Sequence, residues 1–315
     1  MRLPGGWGET NIGLVAGAGA SLLIDTPWDR PLTRAMLDAL APATDRAPVA
    51  TVFHTHPDPD HWWGNSEVPG AEVLAAAAAA QAMRDEPTPG RLAGLRRASQ
   101  VGARIPRRAG LGARYVAGVL APFAFDDVHP RLPERTFTER RVETVGGTTV
   151  ELIEIGAAHT VSDSIVLVPD ARVAYTGDLL FAGVTPVMWH GPVDQWLAAL
   201  DRLIALDADV FIPGHGAIST RLELRALHSY WAWLKHAVHE HAAAGHGTLE
   251  TAKLLTATRE YHAFRAWECP ERLYVNVATI ERELAGEGPL PTDPLTRARV
   301  FDGVARLSHH VRHQQ

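Results

Sequence analysis

The chain reads as an α/β (α+β) protein of the layered αββα type, in which two groups of strands are each closed by helices. The strands fall into one group before about residue 80 and a second between about 135 and 216. Helical periodicity brackets both groups, which favours two sheets packed face to face over a singly or doubly wound parallel sheet. A third observation gives the layers a purpose: residues of metal-binding type sit where strands of both groups end.

The elements follow in order. "NIGLVAGAGASLLIDT" (11–26) is a strand pair around a Gly-rich turn, since it has neither a GxGxxG nor a Walker spacing for phosphate. "RPLTRAMLDALAP" (30–42) places Leu32, Met36, Leu37 and Leu40 on one helical face. "APVATVFHTH" is a strand of small and β-branched residues running into histidines, and "AEVLA" with "AAAAAQAMRDE" is a strand and helix. The pattern breaks at 87–135, where Arg91, Arg96, Arg97, Arg104, Arg107, Arg108 and Arg114 fall among Gly and Pro. That stretch is expected to be a helical lid, its arginines either solvated or facing an anionic substrate. Strand alternation returns at 135–156 with a turn at Gly146-Gly147, then at 164–178, and 193–216 reads as a helix and a strand. From 218 onward the pattern is helical, ending in a polar tail helix with His309, His310 and His313. The expected organisation is a core over 1–217 with its lid at 87–135, and a helical extension over 218–315 packed on the same domain.

Composition narrows the function. With 46% hydrophobic and 21% charged residues the chain can build a core, and a net charge of -6 gives no pull toward nucleic acid or an acidic membrane. The lone Cys269 excludes an internal disulfide and a cysteine-rich zinc module. No apolar run reaches the roughly 18 to 20 residues needed to span a bilayer, and the start lacks a signal-peptide pattern. The expectation is a soluble, cytoplasmic protein acting on a small molecule, with the C-terminal helices available for an oligomer contact.

"ATVF" ends in "HTHPDPDH", which offers His54, His56, Asp58, Asp60 and His61. "VELIEIG" leads to His159, "RVAYTGD" ends in Asp178, and "DVFIPGHG" ends in His215 between two glycines. A single histidine after a strand is ordinarily structural, whereas four strand ends of this kind point to a metal site aimed by a rigid scaffold.

With "LLIDT", the His-rich first loop, "GAAHT", "GDLLF" and "PGHG" in this order, the chain resembles the metallo-β-lactamase-fold superfamily from about residue 8 to 217. The resemblance implies a four-layer αββα sandwich with metals at one edge between the sheets, and hydrolysis as the usual chemistry. The family's first loop, His-x-His-x-Asp-His, fits best from His56, because a start at His54 would put Pro59 in a ligand position. The carry-over then assigns His56, Asp58 and His159 to one metal, and Asp60, His61 and His215 to the other, with Asp178 bridging. His54 becomes an outer group that orients ligands. Asp58 stands where the family has histidine, and this harder ligand admits manganese or iron beside the expected pair of zinc ions.

The implied reaction is attack of a metal-bound hydroxide, oriented by Asp60 or Asp178, on an ester, thioester, lactone or amide carbonyl. Trp62, Trp63, Trp189 and His190 are the expected substrate-binding residues, suited to an apolar, aromatic or acidic molecule. The alternatives are Lewis-acid cyclisation or dehydration, iron-dependent redox chemistry, and a non-catalytic metal-stabilised binding protein.

Overall fold

In the computed structural model, which describes residues 6–106 and 110–313, the ten strands form two five-stranded sheets. The first sheet has the order β1-β2-β3-β4-β5, comprising Gly13–Ala16, Ser21–Ile24, Val49–His54, Glu72–Ala76 and Arg135–Phe137. Its first pair is antiparallel and the rest run parallel. The second sheet has the order β10-β9-β8-β7-β6, from Val210–Gly216, Val173–Ala182, Asp163–Val168, Thr148–Gly156 and Arg140–Val145. There only β9 and β10 are parallel.

Side-chain alternation along each strand explains why the sheets stack. Leu22 and Ile24 join Phe53, Leu74, Val150, Leu152 and Val166 in the core between the sheets. Leu23, one step out of phase, packs outward with Met36 of the helix α1 (Arg30–Thr44). In β8, Ile165 and Leu167 face outward while Val166 and Val168 face the other sheet, so the strand is buried on both sides. Each such aliphatic side chain contributes about 1.5–3 kcal/mol by leaving water.

Helices complete the layers. A short helix α2 (Ala77–Ala82) follows β4, and α3 (Pro89–Gly102) and α4 (Leu111–Leu120) lie between it and β5. The helix α5 (Val193–Ala205) carries the crossover from β9 to β10. Behind the second sheet stand α6 (Arg221–Ala243), α7 (Thr248–Thr256) and α8 (Leu273–Leu284), with α6 started by a Thr220–Glu223 capping box.

Two features differ from the sequence expectation. The strand run at 135–156 is not confined to one hairpin, because Glu139, at φ 58°, turns the chain so that β5 joins the first sheet and β6 the second. The tail helix α9 (Pro294–Arg312) is not a polar appendage: Val300, Val304 and Leu307 are buried, and it packs against α4, α7 and α8. Among the described residues no helix is long and apolar enough to cross a membrane.

Candidate metal centre and substrate cavity

The strand ends named by the sequence meet at one edge of the sandwich. His56 leaves β3, His159 follows β7, Asp178 lies in β9 and His215 in β10. A single helical turn at 59–61 carries Asp60 and His61. Asp178 is the hub: its Oδ2 lies 3.4 Å from His159 Nε2, 3.3 Å from His215 Nε2 and 4.0 Å from His56 Nε2, and its Oδ1 is 3.3 Å from His61 Nε2. Asp58 Oδ2 approaches His159 Nε2 at 3.1 Å, and Asp60 Oδ2 lies 3.7 Å from His215 Nε2. His56, His159 and Asp178 form one donor group able to hold a metal, and Asp60, His61 and His215 form another.

Small residues permit this crowding. A Cβ on Gly214 would stand 1.8 Å from Asp178 Oδ1, and Gly177, at φ 52°, would press a Cβ to within 2.6 Å of Thr55 Oγ1. No side chain fits at either position without moving the site.

Hydrogen bonds aim the imidazoles. Asp25 accepts from the Thr55 backbone N–H and hydroxyl at 2.8 and 2.7 Å and from His61 Nδ1 at 2.8 Å. Because the Thr55 hydroxyl proton goes to Asp25, its oxygen accepts from His56 Nδ1 at 2.9 Å. His159 Nδ1 donates to the Val187 carbonyl at 2.7 Å, and Asp163 ties the loop around His159 through Ala158 and Thr160. In all three histidines Nδ1 is committed outward and Nε2 is turned to the centre, where His159 Nε2 meets Asp58 and His56 Nε2 has no partner, the orientation that metal-ligating histidines use. Asp25, with His56 and His61, also forms a compact donor group. Its oxygens are already saturated on the side away from the cavity, so we read it as the orienting carboxylate.

His54 is placed differently. Its Nδ1 donates to the His61 carbonyl at 2.9 Å and its Nε2 accepts from Asn65 Nδ2 at 3.2 Å, so both nitrogens are used within the fold. Thr10 is an addition to the expected set: its hydroxyl donates to Asp60 Oδ2 at 3.1 Å and lies 3.3 Å from His61 Nε2. Nothing in the local sequence marks it, since it arrives from a segment outside the strand-end motifs.

The electrostatics ask for cations. Burial, reinforced by neighbouring His61, pushes His56 down to about 3, so it stays neutral. Burial also disfavours the Asp178 charge, but His215 and His61 outweigh it and hold the carboxyl well below the usual range. His56 Nε2 and Asp178 Oδ1 are buried with no hydrogen-bond partner. Orphaned groups of this kind cost about 1–3 kcal/mol each. The mixed imidazole and carboxylate set, with one orphaned nitrogen and one orphaned oxygen at its centre, fits divalent metal ions of the zinc, manganese and iron type.

Above this floor lies a cavity of about 360 Å³ reached by Asp58, Asp60, His159, Asp178 and His215. Its walls are largely apolar, with Trp28, Leu92, Val116, Leu120 and Phe301 among them. Of the four residues expected at the substrate, Trp189 and His190 line the cavity, whereas Trp62 and Trp63 do not. Both are buried, Trp62 with its Nε1 donating to the Pro57 carbonyl at 2.8 Å and Trp63 packed against Phe125 behind Trp28. The tight turns after His61 roll both rings inward, which proximity in sequence could not reveal.

Of the two readings of the lid arginines, the structure favours the solvated one for those described. Arg96 bonds the Phe123 carbonyl and pairs with Asp126, as does Arg97, and Arg114 donates to the Ile105 carbonyl at 2.8 Å. Arg91 and Arg104 are exposed, while Arg107 and Arg108 lie outside the described residues. Among the described residues the insertion turns apolar side chains, not arginines, toward the cavity. Two arginines reach it from elsewhere, Arg272 and Arg297, and so does Glu86, whose carboxyl is pushed up to about 8 by burial and by Asp58.

The family model of the metallo-beta-lactamase superfamily matches residues 5–215. The alpha subunit of 2,4-dinitroanisole O-demethylase from Nocardioides sp. (strain JS1661) is 25% identical over 217 residues, covering 67% of this chain and 53% of that protein. The chain thus spans about half the length of this curated relative. Among solved structures, the stereoselective inverting sec-alkylsulfatase Pisa1 from Pseudomonas sp. superposes with a TM-score of 0.66 at 19% identity, over 88% of this chain and 48% of that one. A metallo-beta-lactamase family protein from Thermus thermophilus superposes with a TM-score of 0.60 at 20% identity, over 91% and 92% of the two chains.

Proposed function

This chain belongs to the metallo-beta-lactamase superfamily, and from that premise we propose that it is a metal-dependent hydrolase of small, largely apolar or aromatic molecules. The observation that carries this reading is the pair of buried, unpartnered atoms His56 Nε2 and Asp178 Oδ1 at the floor of an apolar cavity. His56, Asp58 and His159 would hold one metal and Asp60, His61 and His215 the other, with Asp178 shared between them. When bound, such ions supply a Lewis acid and a water acidified toward neutral pH.

The chain's own groups do the rest. Thr10 holds Asp60 by its Oδ2, which leaves Oδ1 to accept a proton from the attacking water. Asp178, kept ionised by His215 and His61, resists protonation and preserves the charge of the floor. The apolar walls exclude competing water and seat the substrate body beside Trp189. The carbonyl of an ester, lactone, thioester or amide is the bond best matched to this arrangement, since no Ser or Cys nucleophile lines the cavity among the described residues.

A second reading, cleavage of an aryl methyl ether, is favoured by the aromatic walls together with the 25% identity to an O-demethylase subunit. One screen separates the two: zinc-loaded and manganese-loaded protein tested on matched aryl esters, lactones, thioesters and amides, and on an aryl methyl ether. The hydrolase reading expects carbonyl turnover that a chelator abolishes and added metal restores. Turnover that survives chelation contradicts it, and cleavage confined to the ether establishes the second reading instead.

A further inference from the structure

Two arginines face the cavity without closing an ion pair. Arg272, in the turn before α8, is 1% exposed, and its guanidinium carbon lies 4.4 Å from the Trp7 ring centre and 5.7 Å from that of Phe181. Its Nη1 donates to the Thr185 carbonyl at 3.2 Å, while Nε has no partner. Arg297, in the first turn of α9, lies 4.1 Å over the Trp189 ring. Among the described residues neither forms an ion pair, not even with Glu86 on the same cavity.

A cation withdrawn from water without a partner is costly unless a ligand supplies the missing charge. Asp58, Glu86 and Asp293 lend Arg297 some opposite charge at a distance, but none closes an ion pair with it, and Asp58, Asp60 and Asp178 face the metal centre. An arginine held over an indole by its guanidinium carbon keeps N–H donors free to meet an oxyanion, a fork anchored by the ring. The positive charge is therefore set into an apolar wall rather than on the solvated face of the insertion.

We propose that the cavity takes molecules joining an aryl or alkyl body to an anionic oxygen group remote from the reacting bond, and that Arg297 on Trp189 holds that group. Arg272 deepens the positive potential behind it. This rests on the cavity being the substrate site of the hydrolase proposed above.

The test is calorimetric titration of the zinc-loaded protein with 3-phenylpropanoate and with its uncharged amide, in wild type, Arg297→Gln and the surface control Arg97→Gln. Wild type and Arg97→Gln are expected to bind the carboxylate about 10- to 100-fold tighter than the amide, the size of one or two charge-assisted hydrogen bonds. Arg297→Gln is expected to lose that preference while its thermal melt stays at the wild-type temperature. A preference that survives in Arg297→Gln assigns the anion to the metals and overturns the proposal, as does the absence of any preference in wild type. Because binding is read without turnover, failure of the hydrolase reading appears separately in the substrate screen.

Discussion

The floor of the cavity is held by directed hydrogen bonds, with His56, His61 and His159 each fixed through Nδ1 by Thr55, Asp25 and the Val187 carbonyl. The roof is held by rings: Trp28 lies 5.0 Å from Phe123 and 5.2 Å from Phe125, and Trp189 lies 6.4 Å from Phe301. Floor residues come from strand ends, roof residues from the loops after β2 and β9, the insertion, the α9 helix and the chain's first described segment. Directed bonds set angles and tautomers, so the floor tolerates little change. Ring packing sets volume, so the roof can vary in sequence and select among substrates without disturbing the chemistry.

If that contrast holds, Asp25→Asn produces a large effect without touching the cavity. The Asp25 carboxylate accepts from Thr55 twice and from His61 Nδ1, and an amide would turn a donor toward one of those donors. Metal affinity is expected to fall about 10- to 100-fold, as for loss of other orienting partners, measured by competition with a chromogenic chelator. Unchanged affinity would break the contrast between floor and roof. At the small end stands Arg97→Gln on the outer face of the insertion. Its 2.9 Å pair with Asp126 joins side chains that are 65% and 54% exposed, and such pairs contribute about 0–1 kcal/mol. Stability should drop by no more than that and kinetics should not change, while a rise in KM would return the arginines to the cavity.

The floor was legible in the sequence because its donors sit within a few residues of strand ends. His56, Asp58, Asp60, His61, His159, Asp178 and His215, grouped by spacing and resemblance, also meet in space. Pro59, which cannot ligate, was enough to choose between the two starts of the first loop, and His54 lies with both nitrogens bonded inside the fold. Thr10 was invisible because its role depends on a segment far from the motif. Trp62 and Trp63 misled for the opposite reason: they adjoin the ligands in sequence, yet the turns bury them. Arg297 and Phe301 could not be found by any local pattern, since only the packing of α9 against α4 brings them over the floor. Short-range chemistry is written in spacing, whereas a wall built from distant helices is a property of tertiary packing.

The central claim is that the floor holds two metals through the donors named, and metal counting tests it most directly. Wild type and His61→Ala are loaded with zinc, freed of excess metal and measured by elemental analysis. The account predicts about two zinc ions per chain for wild type and about one for His61→Ala, because removing a first-loop imidazole opens one of two tetrahedral sites. Wild-type protein that retains no metal, or His61→Ala that retains the full wild-type content, would contradict it.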